Sequence, residues 1–237
     1  FTHVFHPNNE HLFEDASIDI IVFRYCRDNT IDNKMLFNDT IKYINNTQGV
    51  ITFSNHDISS YIRIGELYNV YVGIVSGCES VFKHDILGNK IIIGQNGTRE
   101  NYIFIDEFPT NNKEVNEHML THKNKLINRR IRKIGEHNWY EWGALRNIKV
   151  MKENEGRKCI YVRNITRKPI VAFTDKVSYF GGGLLMMIPK PGIRVNMEKT
   201  IQYLNSPEFI ENYTYSGRFR IGHNQLVNSR AMKKCLK

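Results

Sequence analysis

The chain has 237 residues, 41% of them hydrophobic and 11% aromatic, with a formal net charge of +9. That composition builds one large core or two modest ones and excludes a disordered chain, while the positive charge favours an anionic partner through long-range steering and counterion release. No apolar run approaches the ~20 residues that cross a bilayer and no secretory leader is visible, so a cytoplasmic, nucleic-acid-facing protein with no membrane partner is expected.

From residue 16 to 28 the chain reads ASIDIIVFRYCRD. Ile18, Ile20, Ile21, Val22 and Phe23 leave almost no polar face, the pattern of a strand buried in the middle of a helix-covered sheet. At most two strands fit into residues 1–28, so the rest of that sheet is expected on sequence outside this chain. Residues 31–48, rich in Asn, Asp and Thr, read as a linker with one short ordered segment at most.

From 49 onward a second unit begins, with strand-like runs GVITFS, YNVYVGIVSG, NKIIIG and NYIFIDEF between Gly and Asn turns. MLTHKNKLINRRIRKIG reads as a helix: Ile127, Ile131 and Ile134 fall at i, i+4 and i+7, and Gly135 is its C-terminal stop. Strands follow in KCIYVRNI, PIVAF and GLLMMIP. Met197, Ile201 and Leu204 give a helical stripe, and Ser206 with Pro207 forms a cap-and-proline pair that starts further helix. The second unit is therefore mixed α and β.

No complete catalytic constellation is present. HExxH, GxSxG and P-loop motifs are absent, and GGG at 181–183 leads into a strand, so it reads as a turn or a close-packing site. Cys26, Cys78, Cys159 and Cys235 form no CxxC pair and read as free buried thiols of a reducing compartment, with no metal site. The histidines read as surface or core side chains, and Asp175 lacks the acidic partners of a metal-dependent nuclease.

What stands out is basic residues interleaved with aromatics. Lys125, Arg129, Arg130 and Arg132 on the expected helix would neutralise phosphates, with Arg146 and Asn147 following Trp139, Tyr140 and Trp142; the two tryptophans read as core. A second cluster, RNITRK, carries Arg163, Arg167 and Lys168. In a third, YSGRFRIGHNQL, Arg218 and Arg220 alternate with Phe219 and Ile221 and so emerge on one side of an extended segment. His223, Asn224 and Gln225 then supply donors and acceptors. Arg, Asn and Gln are the residues that make bidentate contacts to base edges; which of these side chains meet phosphates and which meet bases stays open.

FEDASIDIIVFRYCR, Phe13 to Arg27, resembles a late catalytic strand of adenine-specific DNA methyltransferases whose target-recognition domain follows the catalytic one, the TaqI-like and HincII-like enzymes of restriction-modification systems. YNVYVGIVSGCESVF is similar to the opening of that recognition domain through Gly73, Ile74, Ser76, Gly77 and Phe82. WYEWGALRN, YVRNITRKPIVAF, YFGGGLLMMIPK and YLNSPEFIENYTYSGRFRIGHNQL are similar to further blocks of HincII-like members.

The resemblance implies an α/β protein in three parts: residues 1–30 end a Rossmann-like methyltransferase sheet, 31–48 form a linker, and 49–237 form a mixed α/β target-recognition domain that binds double-stranded DNA. It implies that Tyr25 stacks on an adenine rotated out of the duplex. It further implies S-adenosylmethionine as cofactor of the intact enzyme, a cognate restriction endonuclease as a further partner, and the cytoplasm of a prokaryote, or of the host of a large DNA virus, as its location. The family's cofactor loop and its Asn-Pro-Pro-aromatic motif do not occur here, and HPNN at 6–9 has the wrong order. That loss is decisive, because an exocyclic amine attacks a methyl sulfonium well only when fixed acceptors hold it out of conjugation with the ring. The chain by itself is expected neither to bind cofactor nor to methylate. A non-enzymatic DNA specificity subunit and the recognition part of a restriction endonuclease are the alternatives.

Overall fold

The computed structural model describes all residues except Glu10, 16–17, 28–32 and 232–237. It is a mixed α/β fold, richer in strands than in helices. Two compact units emerge: Phe1–Val70, Cys159–Asp175 and Met187–Lys237 form the first, Tyr71–Lys158 and Lys176–Met186 the second.

The first unit opens with a five-stranded sheet built from β1 (His3–Phe5), β2 (Val22–Arg24), β3 (Lys34–Phe37), β4 (Thr40–Thr47) and β5 (Val50–Ser54), in the order β2-β1-β3-β4-β5. β1 runs parallel to β3 and antiparallel to β2. β4 and β5 join through Gln48 and Gly49, both at positive φ, the two-residue turn whose twist matches a hairpin. Val4, Met35, Phe37 and Phe53 bury one side, with Phe1, Ile44 and Tyr215 packed against them. Two expectations change here. Residues 34–37 and 40–47 form paired strands where the composition reads as a linker: Asn lowers strand propensity, but the alternating apolar side chains of β3 give the sheet its core. The apolar run at 18–23 yields only the short β2, which lies at the sheet edge with all three residues exposed rather than buried in the middle.

After β6 (Ile62–Arg63) and α1 (Ile64–Leu67), β7 (Tyr68–Val72) leads into the second unit. There α2 (Glu79–Phe82), the hairpin β8 (Lys90–Ile93) and β9 (Arg99–Tyr102), α3 (Lys113–Thr121), α4 (Lys123–Ile127) and α5 (Ile148–Glu153) surround an aromatic core. Trp142 packs on Phe82, Tyr102 and Phe104 and donates its indole N–H to the Ile103 carbonyl at 3.1 Å. Trp139 packs edge-on against Phe108. Both tryptophans are core residues, as expected. The GGG stretch is a close-packing site: a Cβ on Gly73 would lie 2.2 Å from the Gly181 carbonyl oxygen, so only glycine fits where the Ile74 N–H reaches the Phe180 carbonyl.

The remaining elements are β10 (Lys158–Arg163), β11 (Ile165–Thr166), β12 (Ala172–Lys176), β13 (Leu184–Pro189), α6 (Met197–Leu204), α7 (Pro207–Ile210), β14 (Thr214–Tyr215), β15 (Arg218–Arg220), α8 (His223–Asn228) and β16 (Arg230–Ala231). β10 and β13 are central in a four-stranded sheet, order β12-β10-β13-β7, and their near-continuous apolar runs are buried. The Ser206 hydroxyl accepts the Phe209 N–H and Pro207 occupies the first turn of α7, as the cap-and-proline pair predicts. Of the three described cysteines only Cys159 is buried; Cys78 is half-buried and Cys26 exposed, against the expectation of buried thiols.

Candidate nucleic-acid interface

In the second unit α4 stops at Ile127 instead of running to Ile134. The cause is Arg129. Its Nε donates to the Leu126 carbonyl at 2.8 Å, Nη1 to Ser76 at 2.7 Å, and Nη2 to Trp139 and Glu141 at 2.6 and 2.9 Å. The guanidinium also lies over the Phe82 ring, and burial lowers its pKa. A helix continued through 129 would leave the Ser76, Trp139 and Glu141 carbonyls without these donors, so the chain turns. Arg129 thus holds the loop instead of reaching outward.

The loop it holds presents Arg130, Arg132 and Lys133, all exposed. Lys133 faces Glu141 at 3.7 Å, whereas Arg130 and Arg132 make no hydrogen bond or ion pair among the described residues. Lys125 is exposed and donates to the Ser80 hydroxyl at 2.9 Å. Arg146 is exposed too, but its neighbour Asn147 is scaffold: it sits in the left-handed region at φ 57°, starts α5, and donates its side-chain amide to the Val72 carbonyl.

In the first unit the second and third clusters become one. β11 pairs antiparallel with β15, which pairs with β14, so Ile165 faces Arg220 and Thr166 faces Phe219. Phe219 is buried and Arg220 exposed, the alternation read from the sequence. The exposed Arg167 donates to the Ser216 carbonyl at 3.3 Å, which brings it to the β14–β15 turn. Arg218 is half-buried, 3.9 Å from Asp19. Arg163 stands apart: it is buried, donates to the Ile170 carbonyl at 2.6 Å, and lies over the Phe173 ring.

His223 and Gln225 serve the start of α8. The Gln225 side-chain oxygen accepts the Gly222 N–H at 2.7 Å, and His223 Nε2 lies 3.0 Å from the Val70 carbonyl, which fixes that nitrogen as the donor. Asn224 is exposed. Tyr25, just past β2, is 67% exposed and meets Phe1 edge-on. The sequence gives no sign of Asp19, whose carboxylate accepts the Ser216 hydroxyl at 2.7 Å, nor of His6, whose ring is fully buried beside it.

Among curated proteins the chain is similar to a type II methyltransferase, M.MjaIV, of Methanocaldococcus jannaschii, with 26% identity over 189 residues covering 68% of this chain. The chain spans 62% of that protein's length. No protein-family profile matches it.

Proposed function

We propose that the chain is the DNA-recognising part of an S-adenosylmethionine-dependent DNA methyltransferase that modifies the amino group of a flipped adenine within a specific duplex site. The similarity to a type II methyltransferase carries this reading. Two exposed basic surfaces support it: Lys125, Arg130, Arg132 and Arg146 in one unit, Arg167 and Arg220 with Asn224 in the other. Exposed cations are what phosphate binding needs, while Arg129, Arg163, Asn147, His223 and Gln225 hold the backbone that presents them. Arg218, tied to Asp19, orients the β14–β15 turn. In this reading residues 1–30 end the catalytic domain, and the segment from 49 onward grips the duplex.

The described residues do not fit the cofactor. GGG at 181–183 is packed against Gly73 and feeds a strand, so it offers no helix N-terminus to cradle a nucleoside, and no methyl-transfer step is assigned to this chain's own side chains. Tyr25 contributes a ring face for the extruded base, on the order of 1–3 kcal/mol of stacking. The test is transfer of labelled methyl from S-adenosylmethionine to duplex DNA by the intact enzyme, with the product identified as the N6-methylated base. Tyr25→Ala should lower turnover at least tenfold while duplex affinity changes less than threefold; equal losses in both remove the stacking role.

A further inference from the structure

In the second unit His118 and His122 are spaced as His-x-x-x-His at the C-terminal end of α3. On a helix that spacing puts both rings on one face, and metal-binding histidines use it. His118 Nε2 lies 2.9 Å from the Val81 carbonyl, and His122 Nδ1 lies 2.9 Å from the His118 carbonyl. A carbonyl only accepts, so in the neutral rings these nitrogens carry the protons and the lone pairs fall on His118 Nδ1 and His122 Nε2. Both rings are partly exposed, and neither bare nitrogen is shut off from solvent. The ring centroids stand 4.6 Å apart. Two imidazoles that share one ion at about 2.1 Å per nitrogen have centroids roughly 4.5–5 Å apart. The two carbonyls are also the outer support that metal-binding histidines take, because an N–H held by a carbonyl fixes the tautomer and the ring orientation. His84, whose ring meets His118 edge-on at 5.0 Å, is not a third ligand: its Nδ1 accepts the Ile86 and Leu87 N–H groups at 3.3 and 3.1 Å, which leaves the proton on Nε2. Lys123, the cation next to His122 in sequence, is taken up by Glu136 at 3.4 Å and by the Trp139 ring.

We propose that His118 and His122 bind one divalent transition-metal ion, of the Zn²⁺, Ni²⁺ or Cu²⁺ kind, through Nδ1 and Nε2 respectively. Imidazole selects these ions over Mg²⁺ and Ca²⁺, which prefer oxygen donors. Among the described residues no third histidine, cysteine or carboxylate joins the pair. The ion therefore keeps open positions for water or an outside donor, unlike a closed four-ligand structural site. The inference does not rest on the methyltransferase reading, since it uses only α2, α3 and the side chains they carry.

The experiment titrates the metal-stripped chain with the chlorides of Zn²⁺, Ni²⁺, Cu²⁺ and Mg²⁺ by calorimetry, and follows the histidine ring nitrogen resonances as Zn²⁺ is added. Zn²⁺ should bind at one ion per chain and roughly a hundredfold more tightly than Mg²⁺, and Cu²⁺ should bind more tightly than Ni²⁺. The His118 Nδ1 and His122 Nε2 signals should shift most. His122→Gln keeps an amide donor for the His118 carbonyl but removes the ring lone pair, so it should weaken Zn²⁺ binding roughly tenfold or more; circular dichroism confirms that the variant is folded. His137→Gln, which alters an exposed histidine outside the pair, should change Zn²⁺ binding less than about twofold. Zn²⁺ binding no tighter than that of Mg²⁺, shifts confined to other histidines, or a loss below about threefold in folded His122→Gln overturns the site. The ring nitrogen shifts are read on the parent chain, so they test the assignment even where a substitution disturbs the fold.

Discussion

Arg129 delivers its guanidinium to four backbone carbonyls drawn from three stretches of chain, while Arg130, the next residue, is exposed and makes no hydrogen bond or ion pair among the described residues. Removing Arg129 leaves carbonyls without donors in a partly buried loop, so Arg129→Ala should cost about 3 kcal/mol in urea unfolding, with Arg130→Ala within about 0.5 kcal/mol of the parent. Comparable costs for the two would contradict the scaffold role. The sequence pattern gives both the same phosphate-binding role on one helix because the carbonyls that claim Arg129 lie as far as 53 residues away. Buried acids make a different prediction. Burial pushes the Cys159 thiol from 9.0 up to about 12, and the Tyr213 hydroxyl from 10.0 to about 12. Both are neutral in the fold and ionise first in the unfolded chain. Their contribution is full below about pH 9 and is lost as pH climbs toward 12, at about 1.4 kcal/mol per pH unit for each group inside its window. Cys159→Ala should flatten the part of a stability-against-pH curve between 9 and 10, measured by chemical unfolding; an unaltered slope there would falsify the assignment of that loss to Cys159.

The elements that were legible in the sequence are those whose signal is local. β10 and β13 announce themselves as unbroken apolar runs, α7 through Ser206 and Pro207, and β15 through alternation, and each forms where expected. β3 and β4 were not legible, because the Asn- and Asp-rich chain around them masks a pattern that becomes visible only when Met35 and Phe37 meet Val4 and Phe53. Nor was the joining of RNITRK to YSGRFR, which depends on the pairing of β11 with β15 across half a hundred residues. β2 is the instructive failure: its apolarity was read correctly and its burial was not. Val22 and Phe5, opposite each other in the β1–β2 register, are 61% and 57% exposed at a sheet edge. An apolar edge with unpaired backbone groups invites another strand. The chain should therefore self-associate with rising concentration in sedimentation velocity runs, and Val22→Lys should suppress this without changing its circular dichroism. Association that is indifferent to Val22→Lys would place the sticky surface elsewhere.

At the scale of the molecule, the net charge of +9 becomes informative once the cations committed to the fold are set aside. Arg129 and Arg163 are inside and Arg218 faces Asp19. Lys125, Arg130, Arg132, Arg146, Arg167 and Arg220 remain exposed. If all six meet phosphates, counterion release gives a slope of log affinity on log salt of about −5, and duplex affinity should fall roughly a thousandfold between 50 and 200 mM salt. Each contact should be separable. Arg130→Ala and Arg220→Ala should each make the slope shallower by about 1 on any duplex, whereas Arg129→Lys, a change in the scaffold, should alter affinity without altering the slope. A side chain that reads a base behaves otherwise: its removal costs about 1–3 kcal/mol on the cognate sequence and little on others. Fluorescence anisotropy across a salt series, with two duplexes of different sequence, sorts the six residues into these groups. A slope near zero, or one that none of the six substitutions changes, would overturn the proposal that the basic surfaces bind DNA.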